Sequence, residues 1–229
     1  SFFNPVFMLA VYTFVFSVVF KARWSTQGES RSEFALVLFA GLLVFNLFAE
    51  CVNRAPSLVL SNVNYVKRVV FPLEILPWTV LGSALFHLVI SLVVWLVFYI
   101  AVVGVPSPTL LLLPVVLAPL IALVMGLCWM LASLGVYLRD VAQVIGIVTT
   151  MLMFLSPVLY PASSLPEPWR ALLFLNPLTL AIEQSRDVMI WGRMPQWSAW
   201  LLFAGASLAC AALGFAWFQK TRRGFADVL

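Results

Sequence analysis

The chain has 229 residues, 63% of them hydrophobic and only 10% charged, with a mean hydropathy of +1.06. A soluble core of that length could not bury so much apolar surface, so a soluble globular protein is excluded and a polytopic membrane protein implied. The net charge of +4 and the pI near 9.2 suit a bilayer protein with basic loops and require no nucleic-acid partner.

Six apolar runs can cross a bilayer, which takes roughly 20 residues: 2–20, 34–51, 78–103, 109–136, 141–160 and 197–218. Ser1 already stands inside the first run, without an initiator Met. From that start a missing native N-terminus is expected, and the run itself is too long for a signal peptide and lacks a small-residue cleavage pattern. On it Phe3, Phe7 and Phe14 share one face, and Tyr12 and Phe16 another. Cys51, Cys128 and Cys210 lie in or beside separate runs without metal-ligand spacing, and read as small packing residues rather than a disulfide framework or a metal site.

Between the second and third runs comes NRAPSLVLSNVNYVKRVVFPLEILP, Asn53 to Pro77. At 100° per residue Val59, Val63, Val66 and Val70 share one face, and Ser57, Ser61, Asn64 and Arg68 line the opposite one. A helix over about 54–71 is therefore expected to be amphipathic and too polar to span. Asn53 is the expected cap before Pro56 in the first turn, and Pro72 the expected stop. Two readings stand: a surface helix that docks on a driving partner, or one that lies on lipid with Lys67 and Arg68 near anionic headgroups.

On the third run Ser83, His87 and Ser91 share a face at i,i+4 spacing. With no acidic partner in that run they read as interhelical hydrogen bonding rather than a proton relay. His87 is the single histidine, which excludes His-pair metal sites. The short connections at Gly104 to Pro108 and Tyr137 to Asp140 predict antiparallel hairpins. Along the fifth run Gln143, Ile147, Thr150 and Phe154 follow i,i+4,i+7,i+11. Aromatic faces stack on sugar rings while hydroxyl and amide groups exchange hydrogen bonds with sugar hydroxyls, so the first and fifth runs suit a sugar-polymer pathway as well as plain packing.

Pro157, Pro161, Pro166 and Pro168 break the fifth run. A short helix from Pro168 through Leu175, a turn at Asn176-Pro177 and a second helix from Pro177 to about Ile190 predict a re-entrant pair over about 166–190. Such backbone at membrane depth borders protein or a water-filled pathway. The alternative is an outer cap in which Glu183 and Arg186 merely pair at i,i+3.

Loop charges set the orientation. Arg54, Lys67, Arg68, Arg139, Lys220, Arg222 and Arg223 fall on one side, and Lys21, Arg23, Arg31, Arg170, Arg186 and Arg193 on the other, which places the Asn53 loop in the cytoplasm. Lys21, Lys67 and Lys220 all lack the preceding glycines of a phosphate-binding loop, so any ATP is hydrolysed elsewhere. No GxSxG motif occurs. The spans' nearly charge-free interiors and dissimilar halves are unlike ion-coupled transporters.

The run Asn62 to Pro77, NVNYVKRVVFPLEILP, then Arg139-Asp140, SPVLYPASSLP over Ser156 to Pro166, and NPLT at Asn176 to Thr179 resemble, in order and over nearly the whole chain, the permease subunit of type-2 ABC exporters. The nearest likeness is to those that export O-antigen polysaccharide or teichoic acid, and the FPxExLP element at Phe71 to Pro77 is its most specific part. The resemblance implies an all-α membrane protein of six transmembrane helices, with one permease domain over 1–229 in the bacterial cytoplasmic (inner) membrane. It implies a homodimer with two copies of a separate ATP-binding subunit, no cofactor in this chain, and ATP and Mg on that partner. Ser57, Ser61, Asn64, Lys67 and Arg68 would belong to the coupling helix, and Tyr137, Arg139 and Asp140 to a second contact. Pro157, Tyr160, Asn176 and Pro177 would belong to the re-entrant gate. Phe3, Phe7, Tyr12, Phe14, Gln143, Thr150 and Phe154 would line a channel for lipid-linked polysaccharide between protomers. The family's amphipathic N-terminal helix is not visible in this sequence. Two other classes remain: an exporter of a small lipid or drug on the same fold, and a polytopic enzyme acting on polyprenyl lipids, which would need acidic or histidine clusters that this chain lacks.

Overall fold

The computed structural model describes residues 31–63, 72–162, 166, 173 and 176–228. The first apolar run, with Phe3, Phe7, Tyr12 and Phe14, lies outside the described residues, as do Asn64, Lys67, Arg68 and most of the stretch from Ser163 to Leu175. The helices are α1 Arg31–Arg54, α2 Leu76–Val102, α3 Leu113–Tyr137, α4 Val141–Leu155, α5 Pro177–Arg186, α6 Trp197–Thr221 and α7 Phe225–Val228. No strand occurs among the described residues, and four stretches, Glu33–Ser57, Leu73–Val102, Pro108–Tyr137 and Trp197–Gly224, are long and apolar enough to cross a membrane. The chain is an all-α, multi-pass membrane protein, as lipid demands of a backbone that must satisfy its own hydrogen bonds.

α4 is the exception in length. Its 15 residues reach about 22 Å at the rise of an α-helix, and it stops at Leu155 rather than Tyr160. Pro157 has no N–H to continue the ladder, and the carbonyls of Pro157 and Val158 are taken by Arg186.

The described residues fall into two compact units. Among the described residues, the first comprises residues 31–45, Phe86–Leu117 and those within Met153–Gln196. Here α1 supplies the core, with Phe34, Leu36, Leu38, Phe39 and Leu42 all buried, since a helix apolar all round must sit among others. Trp95 of α2 is fully buried; its indole N–H donates to Leu36 O at 3.1 Å and its ring stacks on Tyr99 at 4.8 Å. On α2, Phe86, Val89, Val93, Val97 and Ile100 are each more than half exposed, a stripe at helical spacing that suits lipid contact. His87 is exposed, with its ring 6.2 Å from that of Phe86.

The second unit comprises Asn46–Leu85, Ala118–Leu152 and the chain from Trp197 onward. α3 and α6 meet here at glycines. A Cβ on Gly126 would lie 2.6 Å from Cys210 O, and one on Gly214 would overlap the carbonyl of Gly126. Where lipid removes the hydrophobic drive between helices, such close backbone packing replaces it. Cys51 and Cys128 are buried free thiols, the Sγ of Cys128 donating to Cys51 O at 3.6 Å. Ser83 does not reach across to a neighbour; its hydroxyl donates back to Thr79 O at 3.2 Å within α2.

Candidate functional site

The segment expected to dock on a partner belongs to the second unit. α1 runs unbroken to Arg54, so Asn53 is not the cap of a separate helix. Its Oδ1 accepts from Thr149 Oγ1 at 3.0 Å instead. Beyond Arg54 the chain tightens into 3-10 turns at Ala55–Ser57 and Leu60–Asn62 rather than a regular α-helix. The local chemistry accounts for this. Pro56 lacks an N–H, Ser57 Oγ donates to Arg54 O at 3.2 Å, and Ser61 Oγ and Asn62 Nδ2 both donate to Leu58 O, at 3.1 and 2.8 Å, side chains competing for carbonyls the ladder would use. Ala55, Leu58 and Val59 are buried, while Ser57 and Ser61 are exposed.

Beneath this segment, Pro56 rests on α3 at Gly135, where a Cβ would overlap the Pro56 carbonyl. The chain is described again from Pro72, extended at φ −71° and ψ 91°. Next comes Glu74, whose carboxylate pairs with Arg222 Nη1 at 2.7 Å. Tyr137 closes α3 and donates its hydroxyl to Thr221 O at 2.9 Å. Arg139 and Asp140 are exposed, and the Asp140 carbonyl accepts from the N–H groups of Gln143 and Val144, starting α4. Gln143 and Thr150 are exposed on α4, the latter bonding back to Gly146 O at 2.9 Å.

The region expected to form a gate belongs to the first unit, and its centre is a residue that sequence reasoning undervalued. Arg186, at the end of α5, is 1% exposed. Its Nε donates to Val37 O at 3.2 Å, Nη1 to Pro157 O at 2.6 Å and Glu183 Oε1 at 2.9 Å, and Nη2 to Val158 O at 2.9 Å. The expected Glu183 pair is present, alongside the three backbone carbonyls. Gly41 of α1 makes the room, since a Cβ there would lie 2.5 Å from Arg186 Nη2. Burial lowers the guanidinium to about 10, opposed by the Glu183 carboxylate, so Arg186 remains charged at neutral pH. No local sequence signal marks this, because Arg186 stands among Glu183, Gln184, Ser185 and Asp187 as a surface charge would.

Around this latch, Pro177 occupies the first helical position of α5 and Asn176 caps it, Oδ1 accepting from Leu178 N at 3.0 Å. Asn176 Nδ2 also donates to Ser156 Oγ at 2.8 Å, tying the cap to the end of α4. Pro157 is buried and Tyr160 half-buried, with the Tyr160 hydroxyl donating to Phe154 O at 3.1 Å. Phe154 itself is 62% exposed. α5 passes into a π-helical turn, Asp187–Trp191, closed by Gly192 at φ +63°. Thr109 Oγ1 holds that turn through Val188 O at 2.8 Å.

A family model described as ABC-2 type transporter matches residues 1–190. The O-antigen export system permease protein RfbA of Myxococcus xanthus is 27% identical over 229 residues, which cover 99% of this chain and 85% of that protein.

Proposed function

This chain belongs to the ABC-2 type transporter family, and we propose that it is the membrane-spanning subunit of an exporter that moves a lipid-linked polysaccharide of the O-antigen type across the bacterial cytoplasmic membrane. The observation that carries this reading is the end-to-end likeness to a permease named for O-antigen export. In this scheme the chain pairs with a second copy and with two ATP-binding subunits that hold ATP and Mg. The segment after α1 docks on those subunits, with Ser57 and Ser61 outward on a base of Leu58 and Val59. The loop charges, seven on this side against six on the other, favour a cytoplasmic docking segment.

ATP binding draws the partner subunits together, and rigid-body movement of the docking segments opens a channel between protomers. Aromatic and small polar side chains, Gln143, Thr150 and Phe154 among them, give the polymer weak, repeated contacts. Weak contacts suit conduction, because each bound unit must also leave.

The test is to tag the full-length protein in its native membrane, purify it in mild detergent, and assay ATP hydrolysis and transport of lipid-linked glycan. A stoichiometric ATP-binding subunit with glycan-dependent activity supports the proposal, and a solitary chain without ATPase activity sinks it. Reversing Lys67 and Arg68 together to glutamate is expected to lower coupled ATPase activity about tenfold, as charge reversal at an interface does, with the protein level in the membrane unchanged. Unaltered coupling would assign those charges to lipid headgroups instead.

A further inference from the structure

The residues that leave α6 do more than end it. Ser133 Oγ and Thr221 Oγ1 lie 2.6 Å apart, and Tyr137 Oη donates to Thr221 O at 2.9 Å. Phe225 is fully buried, its ring edge-on to those of Tyr137, at 6.0 Å, and Phe218, at 5.6 Å. Gly224 lies against the same tyrosine, where a Cβ would come within 2.8 Å of Oη. In the other direction, Arg222 Nη1 reaches Glu74 Oε2 at 2.7 Å. Glu74 is further held through its carbonyl by Trp129 Nε1 at 3.1 Å.

These contacts join two places distant in sequence. Glu74 sits in the FPLEILP element that follows the docking segment, and Tyr137 opens the turn at Arg139 and Asp140. A part-exposed ion pair alone would be a weak tie. The buried rings of Phe218 and Phe225 and the paired hydroxyls make the other end of the clasp firm.

We propose that the segment Thr221–Val228 is a coupling brace, which clamps the exit of the docking segment to the second contact turn so that both respond to the ATP-binding partner as one body. The brace rests on the exporter reading and adds Arg222 and Glu74 as positioning residues. They hold the two contacts in register and touch neither nucleotide nor substrate.

The experiment uses the full chain in complex with its ATP-binding subunit, reading ATP hydrolysis and glycan export together. Glu74→Arg and Arg222→Glu are each expected to lower export per ATP hydrolysed about threefold or more, and the double exchange to restore it, the signature of direct pairwise coupling. Single exchanges that match the unaltered complex, or a folded double exchange that fails to restore export, overturn the brace. A second measurement does not depend on tolerance of reversed charges. With Cys51, Cys128 and Cys210 replaced by alanine, cysteines at positions 74 and 222 are bridged by a short bis-methanethiosulfonate reagent. If the two sites move as one body, the bridged complex keeps turnover within about twofold. Turnover that stops on bridging and returns with reductant shows that they separate during the cycle, and overturns the proposal. A chain that purifies with no ATP-binding subunit defeats the exporter reading itself, whereas an active complex indifferent to these changes defeats only the brace.

Discussion

Arg186→Met is expected to lower the resistance of the detergent-solubilised protein to thermal unfolding by the equivalent of roughly 2–5 kcal/mol, and to reduce its level in the membrane. Among the described residues the guanidinium joins α1 at Val37, the chain after α4 at Pro157 and Val158, and its own helix α5 at Glu183. Val37 keeps its place in the ladder of α1 when the arginine is lost. The Pro157 and Val158 carbonyls lose their donor in a buried setting, and that is the main penalty.

Three companion variants separate the latch from the ion pair. Arg186→Lys keeps the charge but loses the planar fork that serves several acceptors at once, and should fall between methionine and arginine. Glu183→Gln should cost no more than about 1 kcal/mol, because that carboxylate is 39% exposed and water can replace its partner. Gly41→Ala should behave like the lysine variant, since the new methyl displaces Nη2. Thermal midpoints followed by tryptophan fluorescence decide the order. A methionine variant as stable as the parent would remove the latch from the account of the gate.

The all-α class was legible from composition, because in a bilayer an apolar run has little choice but a helix. The end of α4 was legible only in part. The apolar run continues to Tyr160 and Pro157 marks a break in it, yet that Pro157 and Val158 turn their carbonyls to an arginine 29 and 28 residues away is a contact no local pattern encodes. Counting Arg186 as a loop charge had the same origin, since burial of a charge is a tertiary fact. Asn53 followed the rule for caps, but α1 ran on past it and Thr149 claimed its side chain. The meeting of α3 and α6 did leave a trace, small residues Ser207, Cys210 and Gly214 at spacings of three and four. The cysteines read as packing residues were one part of it. The exposed polar side of the segment after α1 was visible in Ser57 and Ser61, whereas its 3-10 geometry depends on which carbonyl each hydroxyl selects.

Gly135→Ala is expected to reduce coupled ATPase activity about tenfold and stability by roughly 1–3 kcal/mol, as overpacking against a fixed backbone does. The new methyl would meet the carbonyl, carbonyl carbon and Cα of Pro56, and backbone cannot swing aside as the end of a side chain can. Pro56 heads the proposed docking segment, and Gly135 stands two residues before Tyr137, so one methyl pushes on both of the contacts proposed for the partner. Gly205→Ala on α6 provides the contrast. Its Cβ meets nothing within 4 Å, and helix preference favours alanine over glycine there, so stability should stay within about 0.5 kcal/mol or rise. Equal ATPase activity in the two variants would mean that Pro56 does not need its seat on α3. Loss confined to Gly135→Ala, in protein that still reaches the membrane and still retains its partner, would show that docking force passes through that seat.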